Sequence, residues 1–456
     1  MPVTAAAPTR GTPSRDTPSR GTPPKTRPRA LLVHKYARAA RIAATLPAYG
    51  WLPRKEAYMR WLKAELEGAG CLFVKIGQWV ASRTDVFPPA ITGALAALHK
   101  DVSPIPPDEV RRVLEDEALA DGDVLAIEPV PLSCGSVAQV HRGVYRGRTV
   151  AVKIQRPGVR DTVRGDLDVV KALMWPMQWH NRRSYADTLK SLDDLGHTIL
   201  QETDFEREAE AMAAYQGFAA AHGLRVPAPI LATPRVLIME YVPSTPLTEA
   251  GGAGVRPADL TRRLMELFMA QFFELGRVHS DLHAGNLGLD ESGRLVMYDF
   301  GSVTPCPAGM VPCFKRLCVS YLNRDTSIML DYLLEYGLLT VGAGATLTAD
   351  QRVAMQHFLD HVIRYVETTD IRAFHASLQG MNADAPPPLE FRPEVFMVFR
   401  SFTLLEGLCK DLDPSFVIMD AMMPYMVSVL ADPETAKLKV EDDMRAVRAL
   451  WAFLNS

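Results

Sequence analysis

The sequence predicts an α+β protein of two lobes, preceded by a helical extension. Three observations support this prediction. Short strand patterns cluster at 124–155 and recur at 235–242, a long helical pattern covers about 158–222 between them, and helical patterns dominate after residue 255. A chain of 456 residues is also too long for one ordinary hydrophobic core, so it suits two or three lobes.

Residues 1–30 form a low-complexity tail rich in Pro, Thr, Ser and Arg, with the near-repeat RGTPSRDTPSRGTPP. Such a segment buries too little apolar surface to offset the entropy that ordering would cost, so we expect it to be disordered. Its Arg-rich and acid-poor composition is typical of organelle transit peptides. A solvated tail or a phosphorylated linker is the alternative interpretation.

Charge divides the chain into a basic head and an acidic body. Residues 1–64 hold 13 Lys and Arg against two acids, a balance of +11, so the overall charge of −3 leaves −14 for residues 65–456. The head indicates a targeting segment or an anionic partner. The body argues against a nucleic-acid partner, because its charge would repel phosphate chains.

Composition excludes two further classes of protein. No stretch of 18 apolar residues is free of charge, so we expect no transmembrane helix. The six cysteines form no C-x-x-C pair, so neither a disulfide framework nor a zinc site is expected.

The sequence patterns of residues 31–115 predict that this segment forms the helical extension. The stretch 31–46 is basic, with Lys35, Arg38 and Arg41 three residues apart. It suits either an ordinary solvated helix or contact with an anionic membrane surface. Further helical patterns fill the rest of the extension and break at the proline-containing sequences FPP and SPIPP.

The strand patterns of residues 116–245 predict that this segment forms the smaller lobe, with the helical region 158–222 as an insert. Its first three strand patterns are VLAIEPVPL at 124–132, SVAQVHRGVY at 136–145 and RTVAVKIQ at 148–155. A turn at Arg146-Gly147 joins the second strand to the third.

The helical patterns of residues 246–456 predict that this segment forms the larger lobe. One strand-containing interruption lies within GNLGLDESGRLVMYDFG, where a turn at Gly293 separates two short strand patterns. The polar residues around this interruption are the main candidates for chemistry.

Four residues have the types, order and spacing that phosphoryl transfer requires. Such a site needs a cation for the nucleotide phosphates, oxygen ligands for Mg²⁺ and a carboxylate that orients the nucleophile. Lys153 ends VAVK on the third predicted strand, and Asp281 and Asn286 lie five residues apart. Asp299 begins DFG, and the whole series follows the order found in protein kinases.

The series predicts a protein-kinase-like fold that binds ATP (or ADP) and Mg²⁺. Lys153 and Asp281 are the predicted catalytic residues, and Asn286 and Asp299 are the predicted metal ligands. Each motif alone is a weak signal, whereas their conjunction in the expected structural context is specific.

Two further groups of residues belong to this predicted site. Lys153 needs a counter-charge from a helix, and the segment 201–215 offers four glutamates among which spacing alone does not choose: Glu202, Glu206, Glu208 and Glu210. The remaining nucleotide contacts are assigned to the loop after the first strand and to the end of the strand at 235–242: Ser133, Cys134, Gly135, Ser136, Glu240 and Val242.

From about residue 60 to 420 the chain resembles the UbiB-type atypical kinases, a kinase-like family associated with coenzyme Q and other isoprenoid-quinone lipids. FVKIGQWVASRTDVFPP is similar to the K-x-G-Q signature of that family, with Lys75, Gly77 and Gln78 at the matching positions. VAVKIQRPGV resembles its lysine strand, and HSDLHAGN resembles its H-A-D-P-H-P-G-N loop. Trp79 and the SDLH form favour a eukaryotic, organellar branch.

The resemblance also assigns roles to the acids of ETDFEREAE. Glu202 and Asp204 match the E-x-D motif, and Glu208 matches the partner of Lys153. The family implies that the K-x-G-Q extension covers the place where a protein substrate would dock, with Lys75 held by the E-x-D acids as a regulatory contact. The Ser-Cys-Gly-Ser loop replaces an alanine-rich loop of the family, so the preference between ATP and ADP stays open.

The resemblance implies an ATP-dependent atypical kinase or ATPase that supports ubiquinone or related isoprenoid-lipid metabolism. It further implies a mitochondrial or plastid protein, peripheral to a membrane, whose partners are a nucleotide and an isoprenoid-quinone lipid or a membrane surface. A protein Ser/Thr kinase and a nucleotide-binding pseudokinase scaffold are the alternatives. The absence of A-P-E after DFG disfavours the first, and the complete catalytic set disfavours the second. The sequence indicates neither the phosphoryl acceptor nor the oligomeric state.

Overall fold

The computed structural model of the chain describes residues 29–45, 55–82, 89–96, 98, 102–120, 125–179, 182–247, 255–341, 346–368, 389–433 and 437. All but the last two residues of the tail that the sequence predicts to be disordered lie outside these ranges. Within the described ranges, no helix combines the length and the apolar character needed to cross a membrane.

In the described part of the extension, four helices meet in one apolar cluster. They are α1 (Arg29–Thr45), α2 (Lys55–Ala69), α3 (Cys71–Ser82) and α4 (Pro89–Ala96). Met59, Phe73 and Leu98 belong to the apolar cluster in which these helices meet. Gly70 separates α2 from α3 at a φ of 112°, a conformation that favours glycine.

Helix α1 packs against α2 through both apolar and charged contacts. Ala39 and Ile42 are buried. Arg41 Nη2 lies 2.8 Å from Glu65 Oε2, and Arg38 Nη1 lies 3.7 Å from the same oxygen. Because two of its basic residues neutralise an acid of the same chain, this helix fits the ordinary packed alternative better than a membrane-facing one.

An antiparallel sheet of six strands forms the smaller lobe, in the order β1-β3-β4-β7-β6 with β2 paired to β3. In chain order the strands up to residue 246 are β1 (Leu125–Ile127), β2 (Ser133–Cys134), β3 (Ala138–Tyr145), β4 (Arg148–Gln155), β5 (Leu224–Arg225), β6 (Pro229–Ala232), β7 (Val236–Glu240) and β8 (Ser244–Pro246). Arg146 and Gly147, both at positive φ, turn β3 into β4, which confirms the predicted hairpin.

The prediction of a first strand over 124–132 is too long. Strand β1 ends at Ile127, and Val130 is largely exposed. Pro129 and Pro131 explain the difference, because proline cannot donate to a strand ladder.

Alternation along β4 separates a core face from a site face. Val150, Val152 and Ile154 are fully buried beneath α5 (Pro107–Asp116). Successive side chains of a strand point to opposite faces, so Lys153 lies on the other face, toward the cleft between the lobes.

Helices α6 (Val159–Met174), α7 (Arg182–Glu202) and α8 (Phe205–Ala221) confirm the predicted helical region, and a 3₁₀ turn at Trp175–Trp179 joins the first two. Helices α6 and α7 are antiparallel, because Lys171 pairs with Asp193 at 2.5 Å and Leu167 packs against Gly196. Helix α3 of the extension packs on both of them through Leu72. The insert therefore anchors the extension to the rest of the chain.

The larger lobe contains helices α9 (Pro257–Ala270), α10 (Met310–Leu322), α11 (Thr326–Glu335), α12 (Ala349–Thr368), α13 (Pro393–Leu412) and α14 (Ile418–Ala431). Its strands are β9 (Arg277–His279), β10 (Leu287–Asp290), β11 (Leu295–Met297), β12 (Val303–Pro305), β13 (Leu339–Val341) and β14 (Leu389–Phe391). Gly293, at a φ of 75°, turns β10 into β11 as predicted. Strands β9 and β12 pair, so the loop after β9 and the segment before β12 are held side by side.

The main core is continuous between the lobes. It includes Ala151 under the smaller sheet, Tyr215 on α8, and Met265 and Phe300 in the larger lobe. Strand β4, helix α8 and the segments around β9 and β12 therefore surround one cleft.

Candidate active site

Lys153 and Glu208 form a buried ion pair across the cleft. Lys153 comes from β4 and Glu208 from the first turn of α8, and the lysine Nζ lies 2.7 and 2.9 Å from the two carboxylate oxygens. The Glu208 side chain is fully buried, and burial raises its pKa to about 7. Of the four glutamates that the sequence offered, Glu208 is the one in contact with Lys153.

Asp299 joins this pair from the DFG segment. Its Oδ1 lies 3.2 Å from Lys153 Nζ and accepts a hydrogen bond from the Gly301 N–H at 2.9 Å. Burial acts to raise the pKa of Asp299, but the Lys153 cation and the Gly301 amide outweigh it and hold the pKa well below its ordinary value. Asp299 is therefore ionised at neutral pH, as a metal-binding carboxylate must be.

Phe300 connects the DFG segment to α8 and to the catalytic loop. Its ring meets those of Tyr215 and His279 edge-on, with centroids 5.0 and 5.7 Å apart. Its N–H donates to Glu208 Oε1 at 3.2 Å. Gln271 Oε1 accepts from the Tyr215 hydroxyl and from the His279 N–H, both at 3.0 Å. These contacts fix the three segments relative to one another.

A neutral His279 anchors the catalytic loop. Its Nδ1 accepts from the Asp281 N–H at 3.2 Å, so the ring proton lies on Nε2, which donates to the carbonyl oxygen of Asp299. Burial lowers the pKa of His279 and favours this neutral form. Asn286 Nδ2 donates to the Asp281 carbonyl at 3.0 Å, which orders the amide and leaves its Oδ1 for another partner.

Two basic side chains flank the Asp281 carboxylate. His283 Nε2 lies 3.6 Å from its Oδ2, and Arg400 Nη2 on α13 lies 3.9 Å from its Oδ1. Burial acts to raise the pKa of Asp281, but His283, Lys75 and Arg400 together outweigh it, so the pKa is below its ordinary value. Asp281 is therefore an ionised acceptor that can orient a hydroxyl group or a water molecule.

The candidate metal ligands fit Mg²⁺ in combination with nucleotide phosphates. The hydrogen bonds that described residues make to the Asp299 carboxylate go to Oδ1, which leaves Oδ2 for a metal, and the Asn286 amide likewise keeps its Oδ1. Magnesium is commonly bound by one or two carboxylates together with substrate phosphates. In the described part of the chain, no cluster of three or more His, Cys, Asp or Glu side chains could hold a metal without such help.

The predicted nucleotide loop is a short strand followed by a tied turn. Ser133–Cys134 pair with β3, and the Gly135 N–H donates to the Ala138 carbonyl at 2.8 Å. Arg156, just after β4, donates from Nε to the Gly135 carbonyl at 2.8 Å. Ser136 is buried. The loop therefore has a defined backbone and lies on the same sheet as Lys153.

Glu240 and Val242 lie where the smaller lobe joins the larger one. The Glu240 carboxylate accepts from Arg225 and from the Ala228 N–H. The Val242 carbonyl accepts from the Ser244 hydroxyl at 3.1 Å. Because the Glu240 side chain is tied to Arg225, we expect the backbone of this connection to make the contacts with a nucleotide base.

Lys75 of the extension reaches the cleft and pairs with Glu202, the last residue of α7. Its Nζ lies 2.8 and 2.7 Å from the two carboxylate oxygens, and the two side chains are 18% and 15% exposed. A Cβ added to Gly301 would lie 3.7 Å from the Glu202 Cα, so the pair sits beside the DFG turn. The Lys75 cation also acts on Asp281.

The other motif residues make structural contacts, Asp204 within α8 and the two residues of α3 with Leu98. Asp204, one of the two acids expected to hold Lys75, caps α8 by accepting from the Arg207 N–H at 3.1 Å. A Cβ added to Gly77 would lie 2.4 Å from Leu98 Cδ1, so glycine permits close packing there. Gln78 Nε2 donates to the Leu98 carbonyl at 2.9 Å.

Several residues that support the site were not singled out from the sequence. Helix α13 contributes Arg400 near Asp281, and the Ser401 hydroxyl donates to the carbonyl of His279. His283 follows Asp281 by two residues, so its position in the motif could have identified it as a neighbour of the Asp281 carboxylate. His279 and Ser401 are 122 positions apart in the sequence, so no local pattern relates them.

The fold and the site together define a kinase-like protein, with a lysine–glutamate pair, a catalytic loop and a DFG aspartate around a cleft between two lobes. A family model described as the ABC1 atypical kinase-like domain matches residues 97–333. The chain belongs to this family, and the resemblance to the UbiB-type kinases is confirmed.

Two similar proteins come from a plant. The chain is 27% identical over 438 residues to "Protein ACTIVITY OF BC1 COMPLEX KINASE 8, chloroplastic" of Arabidopsis thaliana, covering 86% of this chain and 56% of the relative. It is also 27% identical over 393 residues to the corresponding kinase 7, covering 83% of this chain and 55% of the relative. The chain thus spans about half the length of these curated relatives, both of which are named as chloroplastic.

A solved structure supports the fold. The Rv3197–erythromycin complex from Mycobacterium tuberculosis matches with a TM-score of 0.54 and 23% identity, covering 72% of this chain and 85% of that one. With the family match, this likeness confirms the kinase-like fold.

Proposed function

We propose that the chain is an ATP-dependent atypical kinase or ATPase that supports ubiquinone or related isoprenoid-lipid metabolism. The observation that carries this proposal is the convergence of Lys153, Asp281, Asn286 and Asp299 on one cleft, each held by a contact that suits its role. Phosphoryl transfer depends mainly on positioned charge, which is what these contacts supply.

Each residue has a distinct part in this proposal. Lys153, aligned by Glu208, orients the nucleotide phosphates. Asn286 and Asp299 hold Mg²⁺, which neutralises the charge on the phosphates when it is bound. Asp281 accepts a hydrogen bond from the attacking hydroxyl or water, and its lowered pKa keeps it ionised for that task.

The segment after DFG argues against a protein Ser/Thr kinase. Only residues 302–309 separate Gly301 from α10, and β12 within them pairs with β9. An extended peptide-docking segment has no room there. The Lys75–Glu202 pair also lies close enough to Asp281 to interact with its charge, which favours a small acceptor or water.

The state of the site argues against a pseudokinase scaffold. A scaffold that only binds a nucleotide has no nucleophile to orient, yet Asp281 lies in the catalytic loop with a lowered pKa that keeps it ionised. This feature suits an enzyme that positions a hydroxyl group or a water molecule.

The proposed location and the proposed lipid partner do not depend on the geometry of the site. The named relatives are chloroplastic and residues 1–64 are basic and poor in acids, so we propose a plastid location, with the mitochondrion as the alternative. An isoprenoid-quinone lipid is the proposed partner because of the family resemblance. We further propose that the extension spans residues 31–115, the smaller lobe 116–245 and the larger lobe 246–456.

Turnover of Mg-ATP by the purified chain tests the proposal, with and without a quinone-like lipid that carries a free hydroxyl group. Asp281→Asn should reduce turnover by roughly a hundredfold or more while leaving nucleotide binding intact. Asp108→Asn, at an exposed position on α5, is the matched control and should have no effect. Equal turnover by wild type and Asp281→Asn would contradict the proposed chemistry. Mg-ATP binding without any turnover would favour the scaffold.

A further inference from the structure

Arg156 ties the predicted nucleotide loop, residues 133–136, to the segment that joins the extension to the smaller lobe. The arginine follows β4 directly and is half-buried. Its guanidinium is shared between two carbonyl groups: Nε donates to that of Gly135 at 2.8 Å, and Nη2 donates to that of Ser103 at 2.7 Å. One side chain therefore holds the nucleotide loop against the joining segment.

The joining segment, residues 102–105, belongs to two apolar clusters. Val102 packs in the cluster of the extension, and Ile105 packs in the cluster beneath β4. The Ile105 N–H donates to Oε1 of the buried Gln139 at 2.7 Å, and the Cys134 thiol donates to the same oxygen at 3.9 Å. Gln139 is thus a second connection between this segment and the nucleotide loop.

The contact with Arg156 also orients a backbone donor. The carbonyl of Gly135 and the N–H of Ser136 belong to one trans peptide group, so they point in opposite directions. The Ser136 N–H is therefore held pointing away from the guanidinium. Backbone N–H groups of such loops bind phosphate oxygens, and the corresponding loop of kinases covers the nucleotide phosphates.

We propose that Arg156 is a positioning residue for the nucleotide phosphates, because it holds Gly135 so that the Ser136 N–H can donate to them. This inference deepens the proposed function and rests on it. Arginine suits the task, since its planar guanidinium presents several donors in a fixed fork, whereas lysine presents one compact ammonium group. Because Arg156 is also bound to Ser103, the extension contacts the nucleotide loop by a route separate from the Lys75–Glu202 pair.

Two ligands separate positioning of the phosphates from general damage to the fold. The affinities of the full chain for Mg-ATP and for adenosine, which has no phosphates, are measured by isothermal titration calorimetry. Arg156→Ala should weaken Mg-ATP binding by about tenfold, the loss expected for a charge-assisted hydrogen bond, and leave adenosine binding unchanged. Arg156→Lys keeps the cation without the fork, so it should weaken Mg-ATP binding less.

Arg263 provides a matched control. Its Nη1 donates to the carbonyl of Gly293 at 3.0 Å, in the turn between β10 and β11. It is therefore also an arginine that holds a glycine carbonyl, in a different turn. Arg263→Ala should bind Mg-ATP and adenosine like wild type.

Hydrogen exchange without nucleotide tests the connection itself. The amides of residues 133–137 should exchange faster in Arg156→Ala than in wild type, because the Gly135 carbonyl has lost its partner, and should be unchanged in Arg263→Ala. Unchanged exchange in Arg156→Ala would overturn the proposal.

Equal weakening of Mg-ATP and adenosine binding would also overturn it, since the role of Arg156 would then be purely structural. Arg156→Lys carries both comparisons should Arg156→Ala not fold. A wild type that does not bind Mg-ATP would overturn the proposed function and this inference with it, even with the exchange difference present.

Discussion

Replacing Lys75 by methionine should destabilise the chain by about 1–3 kcal/mol at pH 7. The change keeps the length of the side chain but leaves the Glu202 carboxylate without the cation that lies 2.7–2.8 Å away. Breaking a fully buried pair costs about 3–5 kcal/mol, because the remaining charge is uncompensated. Since these side chains retain 18% and 15% exposure, water offsets part of that cost and the lower range applies.

The same variant should lose stability as the pH rises. Burial already raises the Glu202 pKa above its ordinary 4.5, and the Lys75 cation opposes that rise. Without Lys75 the pKa of the folded chain is higher still. A carboxyl group whose folded pKa is raised stabilises the fold below its unfolded pKa, and that stability is lost as the pH rises through the folded value. The cost of Lys75→Met is therefore smaller at pH 5 than at pH 8.

Urea titration of four proteins measures the effect: wild type, Lys75→Met, Glu202→Gln and the double variant. The double variant should be more stable than the sum of the single effects predicts, by about 1–3 kcal/mol. The exposed pair Arg112–Asp108 on α5 is the matched control, and its single effects are expected to add. Additive single effects at Lys75 and Glu202 would refute the ion-pair reasoning. Turnover or autophosphorylation should also change in Lys75→Met while Mg-ATP binding persists.

Three other predictions concern single features of the chain. Glu208 has a pKa of about 7 in the folded chain against an ordinary 4.5. As the pH rises from 4.5 to 7, the stability of wild type relative to Glu208→Gln should therefore fall, by at most about 1.4 kcal/mol per pH unit. A stability difference that does not change with pH in urea titrations would contradict this. Arg400→Ala should raise the Asp281 pKa and move the acid limb of the pH–rate profile to higher pH, and an unmoved limb would exclude Arg400 as a positioning residue. Deleting residues 1–30 should leave the thermal stabilisation of the protein by Mg-ATP unchanged. Residues 1–64, fused to a fluorescent reporter, should direct that reporter to a plastid or mitochondrion. A reporter that stays in the cytosol would contradict the targeting role.

The core of the candidate site could be predicted because its signals are local in sequence. Asp281 and Asn286 belong to one short loop, and Asp299 begins the next motif. The hydrogen bond between the Asn286 amide and the Asp281 carbonyl spans five residues, so the loop sequence alone determines it. Lys153 is identified by its strand pattern, since alternation places it opposite a fully buried face.

Long-range contacts set the limit of that prediction. Lys75 and Glu202 are 127 residues apart, and only the family resemblance related them. That resemblance grouped Asp204 with Glu202, whereas Asp204 caps α8, because an aspartate immediately before a helix bonds readily to the first free N–H groups. Arg400 approaches Asp281 through the packing of α13, which no local pattern in the sequence records.

Secondary structure followed the same rule. Helices with clear periodicity and the hairpin at Arg146-Gly147 were predicted, whereas β6 was not. Strand β6 lies within VPAPILATP, where the prolines obscure the strand pattern, and pairing with β7 stabilises it nonetheless.

Binding of Mn²⁺ in place of Mg²⁺ tests most directly whether Asn286 and Asp299 hold a metal jointly with a nucleotide. The free Mn²⁺ signal in electron paramagnetic resonance is followed in titrations of wild type, Asp299→Asn and the Asp108→Asn control, each with and without ATP. We predict tight Mn²⁺ binding to wild type and to the control only when ATP is present, and binding weakened by at least about tenfold in Asp299→Asn. Equal ATP-dependent Mn²⁺ binding by wild type and Asp299→Asn would contradict the assigned site.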